Sequence, residues 1–299
     1  QGFSTISMAT VLIGAVTNIV LDPIFIFGFG MGVQGAALAT ITAQAVSAIW
    51  VLRFLSGKRT KLRLQKKFFR LNPKVLAPVV ALGVSPFIMN ATESLVNIAF
   101  NSSLKAYGGN PAVGAMTICS SVLQVFFLLL QGIAQGAQPI IGFNYGAGQL
   151  DRVKKAFKLL IISAFTFSCA ACLALELFPQ AFVMLFNDKP ELVDLAVWAL
   201  RIYVCGMFML GIQTSCQQTF VALGQAKISL FLALLRKIIL LLPLILILPR
   251  VLVGHQVMAV FLAEPVADVL AALTTGCMFL WRFPRILERR RQELEKKHA

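Results

Sequence analysis

Long apolar runs, broken by short turn-forming clusters and basic patches, organise this chain. A hydrocarbon layer about 30 Å thick takes roughly 20 residues of helix to cross. Eight runs meet that length: 5–27, 33–55, 75–104, 112–142, 154–186, 192–222, 228–250 and 256–282. Backbone groups cannot stay unpaired in lipid and these runs exceed a barrel strand, so the predicted elements are membrane helices. Turn chemistry separates them at Gly28–Gly32, Gly108–Pro111, Gly146–Gly148 and Asn187–Pro190.

Composition supports the pattern. Hydrophobic residues make up 58% of the 299 and charged residues 13%, with a mean hydropathy of +0.82. A soluble domain carries about 25% charged residues. The surrounding medium is therefore lipid, and a disordered tail, a fibre or a disulfide scaffold is excluded. The net charge of +15 would suit nucleic acid, but its distribution does not. Nine basic residues fall between Arg53 and Lys74, four between Arg152 and Lys158, three at Lys227, Arg236 and Lys237, and seven between Arg282 and Lys297. These patches follow the second, fourth, sixth and eighth runs, which is the arrangement of cytoplasmic loops. Both chain ends are expected on the cytoplasmic side, and no nucleic-acid partner is implied.

The basic stretch 56–74 divides the helices into two plus six, and gives domains at 1–55, 56–74 (a linker), 75–282 and 283–299 (a basic tail). Each helical part closes on a helix, a short outer loop, a helix and a basic exit: Pro23 to Arg53, and Pro243 to Arg282. Transporters are commonly built from such repeats. With Gln1 at its head, the chain is expected to be the C-terminal two thirds of a twelve-helix protein and not to transport alone.

Several motifs lose their usual meaning in this context. Gly30–Gly35 has the GxGxxG form but follows a membrane helix, not a strand, so it is an outer turn. Cys169 and Cys172 have CxxC spacing without a second pair, and all six cysteines lie inside runs, which implies neither zinc nor disulfides. His255 stands alone in an outer loop. No cofactor or enzymatic constellation is expected.

Polar residues inside the runs are the candidate chemistry, because charge in lipid is costly and marks function or pairing. Asp22 lies about 9 Å from the outer end of its helix, one turn beyond Asn18, and Thr40 on the next helix is about 10 Å below its start. Antiparallel packing would set the three at similar depth, and Pro23 permits a bend beside the acid. A carboxylate that takes up H⁺ or Na⁺ is the functional expectation; a carboxyl paired to another helix is the alternative. Asn90, Glu93, Ser94, Asn97 and Asn101 form one stripe, with Glu93 a second candidate for H⁺ or Na⁺. Gln124, Gln131, Gln135 and Gln138 form another, and Gln213 and Gln217 stand in the sixth run. Asn90, Asn97, Gln124, Gln131, Gln213 and Gln217 are candidate substrate-cavity residues, with hydrogen bonding between helices as the plainer role. Arg236 and Lys237 could snorkel to the cytoplasmic side or pair with Glu264 or Asp268.

Three stretches carry a resemblance: Thr17–Phe27 with Gly32–Thr40, Gln131–Gly146 (QGIAQGAQPIIGFNYG), and Glu264–Asp268. They resemble the fifth and sixth, eighth, and twelfth helices of prokaryotic multidrug and toxic compound extrusion (MATE) transporters. The resemblance implies an all-α polytopic membrane protein, eight of twelve helices in a two-lobe fold, in the inner membrane of a bacterium. It implies a monomeric antiporter of small amphipathic or cationic drugs against H⁺ or Na⁺. Asn18, Asp22 and Thr40 match the family's first-lobe ion constellation and Glu93 its seventh-helix acid. Gln213, Gln217 and Gln218 stand where some members carry a tenth-helix aspartate. A flippase for lipid-linked oligosaccharides is the alternative; it would need an Arg- and Lys-rich cavity, for which only Arg236 and Lys237 qualify.

Overall fold

The computed structural model describes residues 4–57 and 73–298. Most of the expected 56–74 linker and the side chain of Asn90 lie outside the described residues. The chain forms two compact units, Gln1–Pro78 and Val79–Ala299. Among the described residues there is no strand.

The first unit is a helix pair. Helix α1 (Ser4–Pro23) runs into a π-helical turn, Ile24–Gly28, and α2 (Gly32–Ser56) returns antiparallel to it. Pro23 lacks an N–H and crowds the preceding turn, and a wider π turn directly after it is one way to relieve that crowding. Contact between the two helices depends on small residues. A β-carbon on Gly35 would lie 2.7 Å from the backbone of Phe25, so only glycine lets the chains approach there. Ala39 and Ala43 continue this buried stripe, and Ser47 donates to the Thr10 carbonyl at 3.2 Å. The rest of the pair presents Val11, Ile19, Phe27, Leu38 and Ile41 outward, as a lipid-facing surface requires.

The second unit holds α3 (Pro73–Gly146), α4 (Leu150–Leu177), α5 (Pro179–Met184), α6 (Pro190–Val204), α7 (Leu210–Ala222), α8 (Ala226–Leu234), a π segment at Leu235–Leu241, α9 (Leu242–Val251) and α10 (Gln256–His298). Gly109, with φ 67° and ψ −162°, breaks α3 into arms 73–108 and 110–146. That backbone region is open to glycine and closed to other L residues. Among the described residues six helices are long and apolar enough to cross a membrane, and α6 with α7, bent by 43°, makes a seventh if the pair is counted as one span. The two arms about Gly109 bring the helical arms to eight, one for each run in the sequence.

Two apolar cores form inside this unit. One gathers Phe100, Leu104, Cys119, Leu175, Val204, Ile245 and Phe261. The other gathers Val153, Leu160, Phe220, Leu232 and Phe279. Along the helices, residues of the first core stop at Leu130, Leu210 and Ala267, and those of the second resume at Ala134, Cys216 and Phe279. Between them lies a layer of polar and charged side chains. Threonine and serine hydroxyls that fall in lipid-facing or packed helix positions donate to the carbonyl four residues back, as at Thr117, Ser215 and Thr219.

Candidate functional site

The polar layer of the second unit centres on Arg236 and Lys237. Both lie in the π segment that precedes Pro243, where the widened turn alters the regular 100° step between side chains. The two neighbours therefore reach different helices. Arg236 Nε donates to Asp268 Oδ1 at 2.6 Å and its Nη2 to Glu264 Oε1 at 3.0 Å. Glu264 and Asp268 are one turn apart on α10 and nearly inaccessible, at 7% and 3% exposure. Two buried carboxylates thus share one guanidinium, the planar donor best suited to them. Lys237 Nζ sits 2.8 Å from Glu93 Oε2 and 3.1 Å from Oε1, on the first arm of α3.

Glu93, Arg236 and Lys237 border a cavity of about 260 Å³. Gln131, Gln213, Gln217 and Gln218 bring amides to its wall, and Phe127, Leu210 and Leu234 bring apolar surface. Gln218 Nε2 donates to Gln131 Oε1 at 3.2 Å, tying α7 to the second arm of α3. Gln217 Nε2 reaches the Ser229 carbonyl at 3.5 Å. Gln213, 4% exposed, leaves its Oε1 without a hydrogen-bond donor.

Of the residues singled out in the sequence, Glu93, Gln131, Gln213 and Gln217 meet at this cavity. Asn97 and Gln124 are exposed and do not line it. Glu93 is not a free carboxylate: a cation binding there would have to displace Lys237. Arg236 takes the pairing alternative with both acids. Sequence reasoning missed the partnership of Lys237 with Glu93 and the contribution of Gln218. Three acids and two bases near mid-membrane were the available signal, since charges in lipid pair with one another.

The first unit holds a different arrangement. Asn18 and Asp22 share one face of α1, and among the described residues Asn18 Nδ2 and Asp22 Oδ1 are both shielded without a hydrogen-bond partner. Contacts of Thr10 with Ser47 and of Phe25 with Gly35 set the register, which puts Thr40 level with Asn18. Thr40 is exposed, beside the buried stripe, and its hydroxyl donates to its own helix at the Ala36 carbonyl, 3.0 Å away. Oxygens of Asp22 and Asn18 could serve a proton or Na⁺. Among the described residues no group of three His, Cys, Asp or Glu is placed to hold a metal ion.

An all-helical fold whose long apolar helices can cross a membrane defines a polytopic membrane protein. The MatE family model matches residues 86–247, more than half of the chain, and the chain belongs to that family. It is 26% identical over 270 residues to the multidrug export protein MepA of Staphylococcus haemolyticus, covering 90% of this chain and 59% of that one. For MepA of Staphylococcus aureus the figures are 25% over 272 residues, 91% and 60%. The chain thus spans about three fifths of the curated relatives it matches. Among solved structures, the MATE multidrug transporter DinF-BH in complex with rhodamine 6G is 35% identical, with a TM-score of 0.82 over 96% of this chain and 63% of that one. A MATE in a bent conformation, at 22% identity and a TM-score of 0.84, agrees in fold.

Proposed function

We propose that this chain serves secondary active export of small amphipathic or cationic drugs, exchanged for H⁺ or Na⁺ by alternating access in a bacterial inner membrane. Both ends would lie in the cytoplasm, where positive charge accumulates. The observation that supports this reading is the second-unit cavity, which combines apolar wall, amides and a half-exposed carboxylate, Glu93, held by Lys237. Such a site suits a ligand with an apolar body and a positive charge. It ill suits a lipid pyrophosphate, because both cations at its wall are already held by carboxylates, Arg236 by Glu264 and Asp268 and Lys237 by Glu93. The names of its relatives, multidrug export proteins and a transporter complexed with rhodamine 6G, point the same way.

Coupling requires a group whose charge changes as it meets two media, and whose state biases one conformation. Asp22 has that character: its Oδ1 is shielded and unpartnered, so it loses no bond on taking up a cation. Asn18 offers a neighbouring oxygen. Glu93 is the second candidate, through exchange with Lys237. Reconstitution of the full-length protein into vesicles with pH and Na⁺ gradients imposed separately tests the reading. Accumulation of a fluorescent organic cation under at least one gradient is expected; accumulation under neither overturns it.

A further inference from the structure

The second-unit cavity contains a cation of its own. Lys237 contributes an ammonium on a flexible stem, held to Glu93 at 2.8 Å. The pair is lopsided: the Glu93 side chain is 54% exposed and that of Lys237 19%. A carboxylate open to that degree keeps much of its hydration and can change partners without a large desolvation cost. Arg236 is held differently, buried against Glu264 and Asp268 with its donors directed at both.

Glu93 is the carboxylate that lines the cavity, and Lys237 is the cation held to it; Arg236 is taken up by Glu264 and Asp268, which do not line the cavity. Gln213 Oε1, on a side chain 4% exposed, lines the same cavity and accepts from no donor. A buried acceptor without a donor is costly and signals a missing partner. Phe127 adds an aromatic ring, whose face attracts cations. The cavity therefore fits one positive charge, an N–H donor and an apolar body together.

We propose that Lys237 is a built-in competitor for the substrate: an amphipathic organic cation enters by displacing the Lys237 ammonium from Glu93, and its N–H is accepted by Gln213. The inference rests on the drug-export reading and adds what occupies Glu93 when no substrate is bound. A tethered ammonium satisfies Glu93 without substrate and lowers the apparent affinity for every cationic ligand.

Rhodamine 6G, a cation with N–H groups, is a suitable probe, its fluorescence polarisation read on the purified protein in lipid nanodiscs. Lys237→Gln should tighten binding by about tenfold, the scale of a close charge pair. Lys237→Arg, which keeps the charge, should stay near wild type. Glu93→Gln should weaken binding, and in that background Lys237→Gln should no longer tighten it. Lys237→Met replaces the Gln variant if that one folds poorly. Wild-type binding with unchanged or weaker affinity in both neutral variants overturns the inference and leaves drug export intact. No binding by any variant removes the drug-export reading and the inference with it. Gln213→Leu should weaken rhodamine 6G more than tetraphenylphosphonium, which has no N–H; equal weakening overturns the role of Gln213.

Discussion

The two units treat their intramembrane acids in opposite ways. In the second, each of Glu93, Glu264 and Asp268 is matched to a cation on the π segment. In the first, Asp22 has a shielded oxygen with no partner, beside an equally unpartnered Asn18 amide. A paired acid contributes to the fold and changes state only by exchange. An unpartnered one contributes little to the fold. The proposed coupling role of Asp22 and the structural role of the paired acids can be tested on that difference.

Removing the guanidinium is the severest test of it. Arg236→Met would leave Glu264 and Asp268 buried without a counter-charge, a loss of roughly 3–5 kcal/mol for a buried pair broken on one side. Thermal unfolding of the purified protein in detergent should show a large drop. The triple variant Arg236→Met, Glu264→Gln, Asp268→Asn should recover most of it, because no buried charge then remains. If the single variant unfolds like wild type, the cluster does not hold the unit together.

A smaller loss is expected where the backbone that carries these acids meets a neighbour. A β-carbon on Gly206 would fall 2.7 Å from Pro265 Cα and 2.8 Å from its carbonyl oxygen. Neither atom can yield as a side chain would. Gly206→Ala should therefore cost about 1–3 kcal/mol, the range for overpacking, and shift Pro265 together with the flanking Glu264 and Asp268. Unfolding measurements give the first effect. Weaker rhodamine 6G binding would report the second.

Glu93→Gln should lower stability by less than about 1 kcal/mol, since its side chain is half exposed and its ion pair is partly solvated. Comparison with Arg236→Met separates the held pair from the exchangeable one. A loss as large as that of Arg236→Met would show Glu93 to be structural.

Much of this contrast was legible in the sequence, but not the partnerships. Apolar run length and turn chemistry placed the helices, and Gly109 stands in the expected turn because only glycine accepts its backbone. The i, i+4 step put Glu264 with Asp268 and Asn18 with Asp22. Helical periodicity says which residues share a face, not what that face meets. Asn97 sits on the Glu93 stripe and Gln124 on the Gln131 stripe, yet neither borders the cavity. Lys237 and Glu93 are 144 positions apart, and the π segment that aims Lys237 departs from the 100° step on which such patterns rest.

The smallest effect on folding should come from Asp22, and with it the largest on function. Asp22→Asn keeps the side chain's size and removes its charge, as protonation would. No bond to Oδ1 is lost because none is made, so stability should stay within about 0.5 kcal/mol of wild type, the range of a substitution that breaks no specific feature. Gradient-driven transport by the full-length protein should vanish, since a side chain fixed in the neutral state cannot report which side it faces. Rhodamine 6G binding at equilibrium should survive, because its site lies in the second unit. Vesicle transport, unfolding and binding measured on the same preparation separate these outcomes. Transport at the wild-type rate with unchanged pH dependence would make Asp22 a structural carboxyl, and the coupling role would pass to Glu93, with Lys237 as the cation it exchanges.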